Sequence, residues 1–336
     1  MVVDPVQERA QSLSKEVGCD YGADWTSLVS RPDIDAVVVS TTHNLLAPIS
    51  LAAIESGKHV FVEKPMGRSP AEVQPIADRF SSKSGGALKL VVGYTLRHYS
   101  HIRRAKELAE SGAIGQLYYI RACYGHGGRP GYDQEWRIDP ELGGGGELLD
   151  QGVHLIDLSR WFLGNLCDVN GITGRYFWTG SAHSDPVIKP SLLSKCGQAE
   201  DNAFMSLRNA IGQAAFLHAS WTQWKNRFEF EIFGRDGCLS LRGLSGHYGP
   251  PQLTLVRRRS QGGVPEIEEI ACEARDVWAD EWAAFVEAIA PSGASECSAE
   301  SANATDGLEA LRVVQRIYKR EEESGAHSVL PNGQRS

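Results

Sequence analysis

Over the first third of the chain, short apolar runs alternate with segments of helical apolar spacing. Ala36-Val37-Val38-Val39-Ser40 is continuous and β-branched, the pattern of a strand buried on both faces, and it follows the turn Arg31-Pro32-Asp33. Residues 47–56 carry Ile49, Ala52 and Ala53 at helical spacing and stop at Gly57, a residue type that accepts the left-handed conformation past a helix end. Residues 59–63 predict a second strand. Ser69 as cap and Pro70 at the first position predict a helix over 70–81. Residues 88–92 predict a third strand, and a helix follows over 102–111. Apolar strands alternating with helices of ~10 residues build βαβ units, and hence a parallel sheet.

After Gly115 the spacing changes. Residues 117–124, 213–223, 227–233, 238–242 and 253–257 alternate or are rich in β-formers, which predicts one open, largely antiparallel sheet. Phe228-Glu229-Phe230-Glu231-Ile232-Phe233 has a clean period of two, and Gly234-Arg235-Asp236-Gly237 reads as the hairpin turn after it. Helices are expected over 147–162 and 307–319, a small-residue loop over 292–302 and a loose polar tail over 324–336. The expected fold is therefore α/β. A doubly wound parallel sheet of Rossmann type spans 1–116, an α/β domain with a large open, mostly antiparallel sheet spans 117–325, and 326–336 is tail. Phe228, Phe230 and Ile232 need a covering surface, and the countable helices are too few for both faces. Assembly into a homodimer or homotetramer through this sheet is expected.

Composition narrows the partners. Apolar residues make up 42% of the 336 and charged residues 23%, the balance of a globular chain. The net charge of −8 argues against nucleic acid or an anionic membrane as partner. No apolar run approaches the ~18–20 residues of a membrane span. Asp4, Glu8 and Arg9 stand where a signal peptide would be apolar. The seven cysteines are dispersed, without metal-ligand spacing, so reduced thiols in a cytoplasmic protein and no bound metal are expected.

Two places could carry chemistry. Glu63-Lys64-Pro65 ends a predicted parallel strand, and ligands of open α/β sheets bind beyond such strand ends. Lys64 could there donate to a substrate hydroxyl, although a strand-end lysine is ordinarily just solvated. Gly143 to Gly146 permit an unusual backbone path before Asp150 and His154, which stand four apart and share a helix face. Histidine suits proton transfer near neutrality. Taken singly, a capping carboxylate for Asp150 and a satisfied core histidine for His154 are the readings to expect.

These segments together resemble the Gfo/Idh/MocA oxidoreductases. The resemblance lies in 33–65 (DIDAVVVSTTHNLLAPISLAAIESGKHVFVEKP), Gly93-Tyr94 with Arg97, Glu135-Trp136-Arg137 and 143–164 (GGGGELLDQGVHLIDLSRWFLG). It implies a Rossmann domain, a C-terminal α/β domain and NAD(P)-dependent hydride transfer on a sugar, polyol or sugar derivative. It also implies Lys64, Asp150 and His154 as catalytic trio, with His154 accepting the hydroxyl proton and the other two orienting and polarising. Ser40, Thr41 and His43, with Glu63 and Lys64, would line the nicotinamide side. Arg97, Tyr132, Trp136 and Arg137 would face the substrate, since sugars need donors and an aromatic surface. Two other readings use the same residues: a glycosidase holding NAD for transient oxidation, and a non-catalytic sugar-binding or interaction protein.

The resemblance also has a gap. Family members open with a strand, a glycine-rich phosphate turn and a helix, and Met1-Val2-Val3-Asp4-Pro5 resembles their second strand. Asp4 matches the acidic residue that holds the adenosine ribose, which favours NAD over NADP. Roughly 30 residues, one βα unit, are then wanting. A fragment or misplaced start, a short protein that has lost cofactor binding, and a sheet completed by a partner's strand would each explain it. The expected consequence is a gap of about 10 Å, twice the strand spacing. NAD(H) binding should be weakened by about two to four decades through loss of the phosphate cradle.

Overall fold

The computed structural model describes residues 1–81, 88–178, 199–290, 298, 300–324 and 328–329. The chain opens with a parallel pair, β1 (Val2–Val3) and β2 (Tyr21–Gly22), joined by α1 (Gln7–Val17). After α2 (Trp25–Val29) come β3 (Ala36–Val39), α3 (His43–Glu55), β4 (His59–Glu63), α4 (Pro70–Ser81) and β5 (Leu90–Gly93). β3, β4 and β5 form a parallel sheet in that order, with Val38 opposite Phe61 and Phe61 opposite Val91. α3 starts four residues ahead of its expected start because Pro48, which reads as a first-turn residue, lies inside it.

Between β1 and β3 lies a cavity of about 810 Å³, lined among others by Val2, Val3, Trp25, Leu28, Val37 and Val39. No strand of the described residues bridges it, and the two parallel pieces form separate sheets.

Next come α5 (Ser100–Glu110), β6 (Leu117–Gly125) and α6 (Val153–Leu163). β7 (Leu166–Arg175), β8 (Asn202–Asn209), β9 (Ala214–Ser220) and β10 (Arg227–Gly234) follow. β11 (Gly237–Arg242), β12 (Gln252–Arg257), β13 (Glu266–Ile270), α7 (Val277–Ile289), α8 (Ala304–Ser324) and β14 (Ser328–Val329) complete the described chain. The nine strands run β13-β12-β11-β10-β6-β9-β8-β7-β14. All neighbours are antiparallel except β6–β9 and β7–β14. Phe228, Phe230 and Ile232 point inward and are buried, as the period of two requires.

Helices of the second segment also cover the first sheet. α7 sets Phe285 against Phe61 and Val91, and α8 packs on α4 and β5. Val38, on the same face as Phe61, stays 52% exposed. The expected loop over 292–302 and tail over 324–336 fall mostly outside the described residues. Within them, Ala302 bridges Val92 and β14 pairs with β7.

Candidate active site

Three of the parallel strands deliver residues at their carboxyl ends: Asp4 after β1, Ser40, Thr41 and His43 after β3, Glu63 and Lys64 at the end of β4. All six line one cleft of about 580 Å³, together with Trp136, Arg137 and Asp150. Asp4 accepts a bond from the Val6 amide at 2.7 Å and makes no ion pair among the described residues.

The second half of the site enters on a helix. The four glycines admit groups that a side chain would exclude. A Cβ at Gly145 would stand 2.4 Å from the Tyr318 hydroxyl, and one at Gly146 would stand 2.0 Å from the Glu200 carbonyl. Through that opening Glu200 reaches the helix start. Its carboxylate accepts from the Gly146 amide at 3.1 Å, the Leu148 amide at 3.0 Å and the Tyr318 hydroxyl at 2.7 Å. It satisfies the orphan donors that a local cap residue would otherwise take. One turn of π-helix, Leu148–Gly152, then leads into α6 and carries Asp150. Such turns recur where a side chain must be re-aimed.

Lys64 and Asp150 meet there. The ammonium donates to Asp150 Oδ1 at 2.5 Å and to its main-chain oxygen at 2.7 Å, while Arg137 Nε lies 3.5 Å from Oδ2. Burial alone would push the Asp150 carboxyl up, but the Lys64 and Arg137 charges outweigh it and hold the group well below the usual carboxylate range. His154, on the next turn, is 9% exposed and flanked by Tyr94 and Tyr124, with ring centroids 5.8 and 6.1 Å away. Burial and the nearby Lys64 charge lower its pKa to about 3, so it stands neutral and able to accept a proton. Lys64 and Asp150 are both among the charges that act on it.

His43 joins the two halves. Its Nδ1 donates to the Gly143 carbonyl at 2.8 Å, and its ring meets Trp136 edge-on at 4.8 Å. Burial, then Lys64, lowers its pKa to about 4. Trp136 and Arg137 also line the cleft, the guanidinium 4.6 Å from the indole centroid.

Two residues expected to face substrate are not in the lining of this cleft. Arg97, 2% exposed, is committed to Asp157 through bonds of 2.8 and 2.5 Å, with Asp306 at 3.4 Å, and does not line the cleft. Tyr132 is 3% exposed and packs with Ile138, Ala199 and Trp221, near enough to the site for the Asp150 charge to act on it. Glu200 escaped the sequence reading, since no spacing rule ties it to a helix that starts more than 50 residues earlier. No group of three or more potential metal ligands occurs among the described residues.

A parallel βα sheet whose strand ends share a cleft with Asp150, one turn ahead of a buried His on the same helix, has the architecture of a dinucleotide-dependent oxidoreductase. Comparison narrows this. Residues 1–89 match "Oxidoreductase family, NAD-binding Rossmann fold" and residues 102–240 match "GFO/IDH/MocA C-terminal domain". The chain belongs to the Gfo/Idh/MocA oxidoreductase family. Levoglucosan dehydrogenase of Pseudarthrobacter phenanthrenivorans is 28% identical over 71% of this chain, and the match spans 63% of that relative's length. A dTDP-3,4-didehydro-2,6-dideoxy-alpha-D-glucose 3-reductase of Streptomyces violaceoruber is 26% identical over 92% of this chain and 83% of its own. A solved levoglucosan dehydrogenase in complex with NADH superposes with a TM-score of 0.80 at 22% identity, covering 96% of this chain and 87% of that one, which shows a shared fold.

The residues present fit the NAD that the Rossmann domain implies. One cleft runs from the Asp4 carboxylate, suited to ribose hydroxyls, to Lys64 and Asp150. Towards the phosphates, the described residues offer the cavity beside β1 and β3 and no glycine-rich turn.

Proposed function

We propose that this chain interconverts a hydroxyl and a carbonyl on a sugar, polyol or sugar derivative, with NAD rather than NADP as redox partner. The Lys64–Asp150 pair, which lines the same cleft as Asp4 and whose charges act on the buried, neutral His154 one turn further along the helix, is the observation that carries the reading. Nicotinamide, when bound, supplies the hydride chemistry. His154 takes the hydroxyl proton, a role that its uncharged imidazole permits at neutral pH. Asp150 fixes the Lys64 ammonium at the cleft wall, where its remaining donor capacity meets the substrate oxygen. Trp136 and Arg137 offer the flat surface and donors that a polyhydroxyl compound needs. Asp4 disfavours a 2′-phosphate by charge.

The same reading includes self-association and a reducing, cytoplasmic setting. Tyr119, Ile172, Phe204 and Phe216 are exposed on the outer face of the nine-stranded sheet, and the five described cysteines are free thiols.

The test is turnover of a sugar and polyol panel with NAD+, followed by NADH absorbance, alongside calorimetric titration of NADH. His154→Asn should lower turnover by about 100-fold or more. Cleavage of a glycoside with no net NADH would replace this reading with the glycosidase. Sugar binding without NADH binding or turnover would replace it with the binding protein.

A further inference from the structure

Glu147 stands at the entrance to the helix that carries Asp150 and His154. It is 0% exposed, and neither of its carboxyl oxygens has a hydrogen-bond partner among the described residues. Glu200 lies beside it, similarly buried, and is treated differently, with two amides and a phenol donating to it. The fold supplies three donors to one of the two neighbouring carboxyls and, to the other, only a Ser220 amide that stops short of a hydrogen bond.

The groups that face Glu147 come from every element packed around it. Asp150 stands on its own turn, Lys64 at the end of β4 and Glu200 ahead of β8. The phenols of Tyr124, Tyr132 and Tyr248 lie near enough to feel its charge, and the Ser220 amide of β9 faces it short of a hydrogen bond. Lys64 is the cation of this set, and both its short bonds go to Asp150. A carboxylate without donors, beside two further carboxyl groups, is a far costlier burial than a neutral acid. Burial drives its pKa well above the usual carboxyl range, and Asp150 and Glu200 add to this against the opposing pull of Lys64.

We propose that Glu147 is a positioning residue of the Lys64–Asp150–His154 site, a neutral carboxylic acid that leaves Asp150 as the one anion gripping Lys64. The proposal rests on the reading that this trio performs the chemistry. Ionised, Glu147 would set a second anion against the same ammonium from three residues away. Lys64 would then be drawn between two carboxylates, out of the position from which it meets a substrate oxygen. No reaction step passes through Glu147, which touches neither substrate nor cofactor.

The experiment compares the whole natural chain with Glu147→Gln, an isostere that is uncharged at every pH, and with Glu147→Leu. The unfolded chain loses this proton near the ordinary carboxyl pKa and the folded chain keeps it, so natural stability falls as pH rises through that interval. The thermal midpoints of both variants should therefore exceed that of the natural protein by a margin that widens from about pH 5 to about pH 8. The infrared carbonyl band of a protonated carboxyl group should be present in the natural protein at neutral pH and missing from Glu147→Gln. On the substrate identified above, natural kcat/KM should fall by about tenfold or more as Glu147 ionises at alkaline pH, while Glu147→Gln stays level. A margin independent of pH, or an unchanged infrared band, would mean an ionised Glu147 and overturn the proposal. A neutral acid whose replacement leaves the pH profile unmoved would overturn the positioning role alone. Failure of the trio itself is read separately, from His154→Asn.

Discussion

Arg97 and Arg137 carry the same charge and meet different fates, decided by what surrounds each guanidinium. Arg97 has a 3% exposed side chain and a bidentate grip on Asp157, itself 1% exposed, whereas the Arg137 side chain is 35% exposed and borders the cleft. Nothing in the sequence separates the two, because the partner of Arg97 lies 60 residues further on and a paired arginine looks like a free one. The strand-end place of Lys64 and the shared helix face of Asp150 and His154 were legible for the opposite reason, since both are local properties, while their grouping as a trio came from the family resemblance. Removing one partner of a buried pair strands the other charge. Arg97→Leu should cost about 3–5 kcal/mol in denaturant unfolding, and the doubly apolar Arg97→Leu/Asp157→Leu should recover part of that. Neither change should alter NADH affinity of the folded protein. Arg137→Leu should do the reverse, leaving stability within about 0.5 kcal/mol and raising KM. A raised substrate KM in folded Arg97→Leu would restore it to the site.

Elements with one strong local signal could be read, and elements shaped by contacts could not. α4 has the expected bounds, Pro70–Ser81, because Ser69 and Pro70 mark its start. β13 was missed because Glu266–Ile270 is an edge strand with four of five residues exposed, so no buried face imposes alternation. β7 was missed because glycine interrupts it, and the reason lies across the sheet: a Cβ at Gly171 would stand 2.8 Å from the Ile317 side chain of α8. α7 has a cap, Asp276, bonded to the amides of Trp278 and Ala279, but exposed Trp278 and Trp282 blur its apolar stripe. The helix that carries Asp150 and His154 shows the same dependence on distant contacts. Gly146 admits the Glu200 backbone, which has no flexible end to move aside. Gly146→Ala should therefore lower stability by roughly 3 kcal/mol or more by overpacking. Gly57→Ala, at φ 74° with nothing within 4 Å, should cost only about 1–2 kcal/mol of left-handed strain. Equal midpoints for the two variants would show that the glycine run is not shaped by Glu200.

At the scale of the whole molecule, burial of neutral histidines couples folding to acid. Burial lowers His43, His98 and His101 to about 4 and His154 to about 3, against 6.5 in the unfolded chain. Below that value the unfolded state binds protons that the folded state refuses, so stability is intact above it and declines as pH falls towards 4. Each group contributes up to about 1.4 kcal/mol per pH unit. His101, 0% exposed between Tyr99 and Phe228, should carry a measurable share of the histidine slope, and His101→Leu should flatten the fall of the thermal midpoint below about pH 6 accordingly. An unchanged slope would mean that His101 titrates normally. The outer face of the large sheet makes the other demand on the molecule. Its inner face is buried core, yet Tyr119, Ile172, Phe204 and Phe216 are 37%, 60%, 40% and 52% exposed on the outer one, around a cavity of about 660 Å³ lined by three of them. Tyr119 stacks on Phe233 at 4.5 Å and Phe204 on His218 at 4.3 Å, so the surface is flat and aromatic. A second copy presents the same face, and two apolar sheets brought together remove this area from water without new chemistry. Light scattering at micromolar concentration should give the mass of a dimer or tetramer. Phe216→Asp would bury a carboxylate in that interface and should return the mass to that of one chain, with the thermal midpoint losing its dependence on concentration. A natural protein that scatters as a single chain would mean that this aromatic face meets something other than itself.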